Sequence, residues 1–246
     1  MLIRRSRSND YFKKVDASTF WFYTAYNIGK LLNSNKKLAR RIRNLGDIAD
    51  YLLWIQCTFP NSFNKSTFIP TNEILWKKVI SKLNNSEITV FEFGVAYGYA
   101  TNWWLSNFPN YKFNWHGFDS FIGLPRAWRD IPQGYFNANG LAPKIRDTRV
   151  TWHVGDVKET LLKMNVEPLL TNQTIILFDF DIYEPSLFAW NSIKGHLKVG
   201  DILYFDEAFD NDERHLIKEE ILKFCQLELI GATPVSLAVA ISDFKR

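Results

Sequence analysis

From about residue 86 onward, short runs rich in β-branched and aromatic residues alternate with stretches of helical periodicity. This alternation predicts an α/β architecture with a largely parallel sheet, because each parallel neighbour needs a long crossover connection. The predicted strands are residues 89–93, 112–118, 149–154, 174–180, 201–205, 227–232 and 235–241. The predicted helices between them are residues 102–108, 157–164, 185–196 and 212–224.

The sixth and seventh predicted strands are joined by a connection that is too short for a helix. Residues 231–234 begin with Gly231 and end with Pro234, a composition that is typical of a tight turn. A tight turn joins antiparallel strands. We therefore predict a seven-stranded sheet that is mostly parallel and has an antiparallel last strand.

The first third of the chain has a different character, with helical stretches joined by polar turns. One predicted helix covers residues 37–56, and another follows Pro70, where Thr71 or Asn72 can cap its first turn. A length of 246 residues favours one domain with an added lobe over two full domains. We predict an N-terminal helical region at residues 1–85, acting as a lid or contacting substrate or another subunit, and a core at residues 86–246.

The charge and the cysteines narrow the choice of partners and compartment. The formal charge is +4, and much of the excess of basic over acidic residues lies in the first 45 residues. Nucleic acid or an anionic membrane could bind such a region, but a solvated helical face is the simpler explanation, so no nucleic-acid partner is expected. Cys57 and Cys225 form no CxxC motif, which favours a cytoplasmic protein without disulfides or structural zinc. No apolar run reaches membrane-spanning length.

The first predicted strand runs into the segment Glu92-Phe-Gly-Val-Ala-Tyr-Gly98, which then opens a helix. In an open α/β sheet the ligand site lies beyond the carboxyl ends of the strands. Gly94 and Gly98 allow the backbone to turn sharply and to approach a ligand closely. The GxxxG spacing differs from GxGxxG and therefore disfavours a dinucleotide cofactor. An ordinary strand-to-helix turn is the alternative interpretation.

The second and third predicted strands also end in acids. Asp119 follows Gly94 by about 25 residues, a separation at which its carboxylate can accept hydrogen bonds from a ribose diol. Asp156 can accept a hydrogen bond from an adenine amino group. Each acid has a structural alternative, because Asp119 can form a turn and Asp156 can cap the helix that starts at Val157.

The fourth and fifth predicted strands carry four acids at neighbouring tips. Asp179 and Asp181 are two positions apart, which places both side chains on one face of a strand. Asp206 and Glu207 end the next strand. Carboxylates this close repel each other unless a cation or a shared proton intervenes. Converging carboxylate oxygens suit Mg²⁺, although the same acids can also cap helices or pair with basic side chains.

Taken together, these motifs resemble those of class I S-adenosylmethionine-dependent methyltransferases, and among them the macrocin O-methyltransferase-like group that modifies sugar hydroxyls. The resemblance covers about residues 86–242 and implies a Rossmann-like methyltransferase fold. Its motifs are Glu92–Gly94, the run Asp-Ser-Phe-Ile-Gly-Leu-Pro at 119–125, Gly155-Asp156, the run Asp-Phe-Asp-Ile-Tyr-Glu at 179–184, and Phe205–Glu207. The two longer runs are specific only in combination.

The resemblance also implies roles for single residues. The residues implied to bind S-adenosylmethionine are Glu92, Gly94, Gly98, Asp119, Ser120 and Asp156. The implied Mg²⁺ ligands are Asp179, Asp206 and Glu207, and Asp181 is the implied general base. Many relatives carry an Asp-Asp pair where this chain has Asp206-Glu207. The Glu207 side chain is longer than that of Asp and has the same charge. The candidates for the acceptor pocket are Trp128, Arg129, His153 and His215, each of which can equally be a surface or core residue.

The implied function is divalent-metal-assisted O-methylation of a sugar or a glycosylated small molecule. Three alternatives stay open: a nucleic-acid methyltransferase, a non-catalytic S-adenosylmethionine-binding or scaffold protein, and metal-free O-methylation with Asp181 alone as base. Methyltransferases that act on nucleic-acid amino groups commonly carry an Asn/Asp-Pro-Pro-aromatic run on the fourth strand, which this chain lacks at residues 179–183. The oligomeric state also stays open, and a homo-oligomer is compatible with the sequence.

Overall fold

The computed structural model describes residue 24 and residues 27–30, 35–64, 66–84, 87–170 and 172–245. The chain divides into two compact units, Met1–Asp50 and Tyr51–Arg246. The first unit contains helical residues 27–30 and the start of helix α1 (Lys36–Thr58). The basic residues Arg4, Arg5, Arg7, Lys13 and Lys14, and residues 1–23, 25–26, 31–34, 65 and 85 of the predicted helical region, lie outside the described residues. The predicted boundary after residue 85 remains a prediction.

The second unit is built around one sheet. Its strands are β1 (Glu87–Phe93), β2 (Lys112–Asp119), β3 (Val150–Val154), β4 (Gln173–Phe178), β5 (Ile202–Phe205), β6 (Cys225–Ala232) and β7 (Leu237–Phe244). Their order across the sheet is β3-β2-β1-β4-β5-β7-β6. Neighbours are parallel, except that β7 runs antiparallel to both β5 and β6. The prediction of seven strands with an antiparallel last strand is confirmed.

Helices connect most of the parallel strands, as predicted. Helix α2 (Asn72–Ile80) precedes β1, the connecting helices are α3 (Tyr99–Asn107), α4 (Val157–Leu162) and α5 (Tyr183–Ile193), and α6 (Asn211–Leu216) follows β5. After α6 the chain continues through a π-helical turn at Ile217–Ile221 and a last helical turn at Leu222–Phe224, and 3-10 turns lie at Glu167–Leu169 and Lys194–His196. The Thr71 side chain caps α2 by accepting a hydrogen bond from the Ile74 amide. None of the described helices is long and apolar enough to cross a membrane.

Apolar side chains cover both faces of the sheet, as expected for strands flanked by helices. Alternate residues of each strand point to opposite faces. On β1, Phe91 and Phe93 join one buried cluster, whereas Val90 belongs to the other. Tyr51 and Ile55, from the part of α1 in the second unit, are fully buried in the first of these clusters. The sheet is therefore held rigidly enough for its carboxyl ends to position a site.

The connection from β2 to β3 is the exception to helical crossovers. Residues 120–149, here called the crossover segment, contain no helix and no strand of the sheet. The segment carries a small apolar cluster in which Leu124 and Trp128 pack on Ile182, just after β4. It ends at Arg149, whose guanidinium pairs with Asp147 at 2.7 Å. The crossover segment thus passes along the carboxyl edge of the sheet, where the predicted site lies.

Candidate functional site

The turn after β1 is held in place by the acid that ends β2. The backbone N–H groups of Val95 and Ala96 donate to Asp119 Oδ2 at 2.9 and 2.8 Å, and the Phe121 N–H donates to Asp119 Oδ1 at 2.7 Å. A carboxylate can accept about four hydrogen bonds. Asp119 therefore forms a turn, as its structural alternative predicts, and keeps capacity for roughly one further donor such as a ribose hydroxyl.

Gly94 and Gly98 make the sharp turn that the sequence predicts. Both have positive φ, +93° at Gly94 and +75° at Gly98, and Gly98 is the N-cap of α3. The groups that approach these glycines closely are parts of the protein. A Cβ on Gly94 would lie 1.9 Å from the Asp179 carbonyl oxygen, and one on Gly98 would lie 2.8 Å from the Pro143 side chain. Close packing of β4 and the crossover segment therefore accounts for both glycines.

The other two predicted cofactor residues beside this turn make local contacts. Asp156 caps α4 by accepting a hydrogen bond from the Lys158 amide at 2.8 Å, which confirms its structural alternative. Ser120 Oγ accepts a long hydrogen bond of 3.4 Å from the Ile122 amide. Both residues follow strand ends on the same edge of the sheet as Asp119. Their contacts to a cofactor remain predictions.

Glu92 lies inside the protein rather than on the ligand edge. Its side chain is 1% exposed. Its Oε2 atom accepts hydrogen bonds from the Thr101 hydroxyl and, at 2.7 Å, from the Trp115 indole N–H. Burial raises the pKa of Glu92 from 4.5 to about 7, against the lowering effect of both hydrogen bonds. Glu92 therefore links β1 to α3 and β2, and any contact with methionine remains a prediction.

The raised pKa of Glu92 predicts a pH-dependent stability. Between pH 4.5 and about 7 the folded chain holds a proton that the unfolded chain releases, so the free energy of unfolding falls as pH rises through this window. In the Glu92→Gln variant, this fall in the free energy of unfolding between pH 4.5 and about 7 should be smaller by up to about 3 kcal/mol. Urea unfolding at pH 5, 6 and 8 measures it, with the exposed Glu228→Gln as control. Identical pH profiles for wild type and Glu92→Gln would contradict the prediction.

Three acids converge at the tips of β4 and β5. One side-chain oxygen from each of Asp179, Asp181 and Glu207 lies within 4.8 Å of the others. The prediction that both aspartates lie on one face of a strand is wrong, because β4 ends at Phe178 and Asp181 has a φ of +61°. A left-handed loop residue, rather than strand alternation, turns the Asp181 side chain toward its neighbours.

Asp206 is anchored by a hydrogen-bond network. Its Oδ1 accepts from the Tyr204 hydroxyl at 2.7 Å and from Asn72 Nδ2 at 3.0 Å. Asn72 Oδ1 in turn accepts from the hydroxyls of Ser236 at 2.9 Å and Thr233 at 3.2 Å. The N-terminus of α2 and the turn before β7 are thereby tied to the acidic edge. Asn72 is predicted above only as a possible helix cap, and Tyr204, Thr233 and Ser236 carry no sequence signal of a site, because only tertiary folding brings these residues together.

A fifth acid, Glu213 of α6, was also missed by the sequence analysis. It is 1% exposed, and its Oε2 accepts a hydrogen bond from the Glu207 amide at 3.0 Å. Within the part of the chain that the structure describes, Glu213 Oε1 and Glu207 Oε2 are buried without a hydrogen-bond partner. Burial, followed by repulsion from Asp206 and other acids of this edge, raises the pKa of both glutamates well above 4.5. The acids of this edge therefore lie close enough to repel one another.

A cavity of about 340 Å³ is lined by residues that follow β4 and β5, and none of the five acids is among its lining residues. The N-terminus of α5 contributes Tyr183 to its wall, and α6 contributes Arg214 and His215. Tyr183 and Glu184 come directly after the Asp179–Ile182 loop, and Arg214 follows Glu213. The cavity and the acids are therefore built on the same two connections, those that follow β4 and β5.

Comparison with known proteins gives a structural match only. No family model and no curated protein matches the chain. The crystal structure of CalS11, a calicheamicin methyltransferase, is 21% identical and aligns with a TM-score of 0.52 over 68% of this chain and 76% of CalS11. This chain has a Rossmann-like methyltransferase fold. The O-methyltransferase NovP is 16% identical over 69% of this chain and 77% of its own, with a TM-score of 0.48.

Within this methyltransferase fold, the four acceptor-pocket candidates lie apart. Trp128 is 7% exposed and belongs to the apolar cluster of the crossover segment. The His153 ring packs 4.4 Å from the Phe118 ring, and its Nε2 lies 3.0 Å from His116 Nδ1, on the sheet face that carries the first buried cluster. Trp128 is therefore a core residue, whereas His153 is half-buried on the edge strand β3. Their roles in acceptor binding remain predictions.

Arg129 and His215 lie closer to the acidic edge. The Arg129 guanidinium pairs with Asp210 at 2.8 Å and lies 4.7 Å above the Phe209 ring. His215 lines the cavity, and its ring contacts that of Tyr183 edge-on at 4.7 Å. Arg129 therefore ties the crossover segment to the connection after β5, while His215 lies on the cavity wall.

Proposed function

We propose that the chain is an S-adenosylmethionine-dependent O-methyltransferase that uses a divalent cation to methylate a hydroxyl of a sugar or glycosylated small molecule. The observation that carries the proposal is the convergence of Asp179, Asp181 and Glu207 beside the turn that Asp119 holds. The methyltransferase fold supports it, because the match to CalS11 covers 68% of this chain. The sugar acceptor rests on the sequence motifs of the macrocin O-methyltransferase-like group.

The residues around the first turn fit S-adenosylmethionine. When bound, this cofactor supplies a methyl group on a sulfonium, which is a good leaving group. Asp119 keeps hydrogen-bonding capacity for a ribose hydroxyl, and its bonds to Val95 and Ala96 fix the turn in advance. Asp156 marks the end of β3, on the side where an adenine would lie. A preorganised turn lowers the entropy lost when the cofactor binds.

The acidic edge fits a divalent cation with oxygen ligands. The proposed ligands are Asp179, Asp206 and Glu207, of which Asp179 and Glu207 belong to the converging group and Asp206 does not. Glu207 Oε2 is a buried acceptor atom with no partner among the described residues. A donor set made only of carboxylates is the type that Mg²⁺ prefers. A bound Mg²⁺ would lower the pKa of the acceptor hydroxyl. Asn72 and Tyr204 fix the orientation of Asp206, as outer hydrogen bonds do for metal ligands generally.

Asp181 is the proposed acceptor of the proton from the acceptor hydroxyl. Its side chain is 6% exposed and belongs to the converging group with Asp179 and Glu207. Burial raises the pKa of Asp181 from 3.8 to about 6. A base whose pKa lies near the working pH transfers protons effectively. The residues of this edge would hold and orient the acceptor hydroxyl for methyl transfer, which is a positioning task.

Methyl transfer from radiolabelled S-adenosylmethionine tests the proposal directly. The acceptor set should contain free hexoses, glycosylated small molecules, RNA and DNA, each assayed with Mg²⁺ and with EDTA. Label in a sugar that EDTA abolishes supports the proposal. Label only in RNA or DNA would favour a nucleic-acid methyltransferase, and label unaffected by EDTA would favour metal-free catalysis. If calorimetry detects binding of neither S-adenosylmethionine nor Mg²⁺, the result would favour a non-catalytic scaffold protein.

The cofactor side has its own mutational prediction. Asp119→Ala removes the acceptor of three backbone hydrogen bonds together with the proposed ribose contact. We expect the affinity for S-adenosylmethionine to fall by roughly tenfold to a hundredfold, the range for losing hydrogen bonds to a charged group. Calorimetry measures the affinity, and the melting temperature shows whether the variant is folded. Unchanged affinity in a folded variant would contradict the assignment of Asp119.

A further inference from the structure

Arg129 of the crossover segment stands at a backbone position that disfavours most side chains. Trp128 and Ile131 exchange backbone hydrogen bonds of 2.9 and 2.8 Å, so residues 129 and 130 form a two-residue turn. Within this turn only Arg129 has a positive φ, +52°. Such a turn favours glycine at its first central position, and another residue there costs roughly 1 to 2 kcal/mol. Backbone strain that is kept in this way points to a task for the side chain.

The Arg129 side chain is fastened to the turn that follows β5. Its guanidinium donates to Asp210 Oδ2 at 2.8 Å and lies 4.7 Å from the centre of the Phe209 ring. The two side chains of this ion pair are 22% and 13% exposed, so the pair is better shielded from solvent than a surface pair. Asp210 Oδ1 accepts a hydrogen bond from the Asp212 amide at 3.1 Å and thereby caps α6. Both carboxylate oxygens of Asp210 therefore hold neighbouring structure in place.

Asp210 also closes the turn that begins with Glu207. The Asp210 amide donates to the Glu207 carbonyl at 2.8 Å, so residues 207–210 form one hydrogen-bonded turn. The Glu207 side chain converges with those of Asp179 and Asp181. A displacement of Asp210 would therefore be passed on to Glu207, and the path from Arg129 to the acids runs through Asp210.

The residue before Arg129 is packed against the other connection that carries acids. Trp128 packs with Leu124 on Ile182, which directly follows Asp181. Trp128 and Ile182 are 7% and 2% exposed, so this contact is part of a buried cluster. Residues 128 and 129 therefore join the connection after β4 and the connection after β5 to the same short turn.

We propose that Arg129 is a positioning residue of the cation site, which holds the turn after β5 in place beside the connection after β4 so that Glu207 converges with Asp179 and Asp181. The inference rests on the proposed function, because that function requires the cation site. Arg129 acts through Asp210 and not by contact with the acceptor. Outer hydrogen bonds orient metal ligands generally, and their loss lowers metal affinity about tenfold to a hundredfold.

The sign of the effect separates positioning from simple charge. Arg129 is a cation on the same connection as the acids, and Asp210 would keep its negative charge after losing this partner. By Coulomb's law alone, removal of Arg129 would therefore tighten the binding of a divalent cation. Loss of positioning has the opposite effect. We expect Arg129→Gly to bind Mg²⁺ about tenfold to a hundredfold more weakly than the wild type, as measured by calorimetry.

Two further variants test loss of stability and loss of charge as causes. Arg129→Ala also lacks the guanidinium but keeps the backbone strain, so it should be about 1 kcal/mol less stable in urea than Arg129→Gly and bind Mg²⁺ equally weakly. The double variant Arg129→Gln/Asp210→Asn leaves the net charge unchanged, and asparagine can still cap α6. It should also bind Mg²⁺ at least about tenfold more weakly than the wild type.

The matched control is Arg146→Gln, because Arg146 is an exposed arginine elsewhere in the crossover segment. This variant should keep the wild-type affinity for Mg²⁺. A folded Arg129→Gly protein that binds Mg²⁺ as tightly as the wild type, or more tightly, would overturn the proposal. Normal Mg²⁺ affinity of the double variant would overturn it as well.

Hydrogen exchange of the chain without cation separates this inference from the proposed function. In Arg129→Gly, the amides of residues 206–210 should exchange at least about tenfold faster than in Arg146→Gln, while those of β1 should not change. If the wild type binds no Mg²⁺, the cation-assisted function is refuted, and the exchange rates decide the positioning: faster exchange at residues 206–210 supports it, and equal exchange refutes it. If the wild type and the Arg129 variants bind Mg²⁺ equally well, the positioning is refuted and the proposed function stands.

Discussion

Gly94→Ala is expected to destabilise the chain by at least about 4 kcal/mol, or to prevent it from folding. A Cβ at this position would lie 1.9 Å from the carbonyl oxygen of Asp179 and 2.5 Å from its carbonyl carbon. Both atoms are backbone, so no change of rotamer relieves the clash. The φ of +93° adds a further penalty for any residue with a side chain.

The contact cannot be relieved by moving one strand, because hydrogen bonds lock both partners. The Gly94 amide donates to the Phe118 carbonyl at 3.0 Å, and the Asp179 amide donates to the Phe93 carbonyl at 2.8 Å. Separating β1 from β4 at this point would break these bonds and displace Asp179. Any Gly94→Ala protein that does fold should therefore also bind Mg²⁺ more weakly, because an acid of the proposed cation site has moved.

Gly134→Ala is the matched control for this prediction. Gly134 also has a positive φ, +78°, but nothing lies within 4 Å of a Cβ built there. It should therefore show only the backbone penalty, about 1 kcal/mol. The free energy of unfolding in urea and the soluble yield are measured for both variants. The difference between the variants gives the cost of the clash with Asp179, apart from the cost of the positive φ. Similar stabilities of the two variants would mean that Gly94 is not packed against Asp179.

The sheet could be predicted because the sequence pattern of each strand is local. Each strand carries its own run of β-branched and aromatic residues, and the shortage of chain between β6 and β7 predicts the antiparallel end. Both features are confirmed. The convergence of Asp179 with Glu207 was also predictable, since parallel strands bring their carboxyl ends to one edge. The rule that Asp181 shares a strand face with Asp179 failed because β4 ends earlier, at Phe178.

Other parts of the site depend on tertiary contacts that no local pattern encodes. Asn72 and Asp206, which share a hydrogen bond, are 134 positions apart in the sequence. The hydrogen bonds that Asn72 accepts from Thr233 and Ser236 form only when the sheet is complete. Glu213 resembles any exposed acid of an amphipathic helix until α6 packs and buries it. The crossover segment lacks helical periodicity, so its path over Gly98 and toward Asp210 could not be derived from composition.

Asp181→Asn is expected to lower methyl transfer by about a hundredfold to ten-thousandfold, the usual contribution of a general base. The amide is almost isosteric with the carboxyl but cannot accept the proton from a hydroxyl at neutral pH. The substitution removes one negative charge from a cluster in which neighbouring acids repel each other. The variant should therefore fold at least as well as the wild type and keep its affinity for S-adenosylmethionine within a few-fold.

The pH profile distinguishes a base from a residue that only shapes the site. Asp181 must be ionised to accept a proton, so the wild-type rate should rise with pH through a value at or below about 6, because a bound cation would lower the pKa that burial raises. This rise should be absent in Asp181→Asn. The exposed Asp243→Asn on β7 serves as the control and should retain full activity. Normal turnover of Asp181→Asn, or the same acidic limb in both enzymes, would assign proton removal to another group or to solvent.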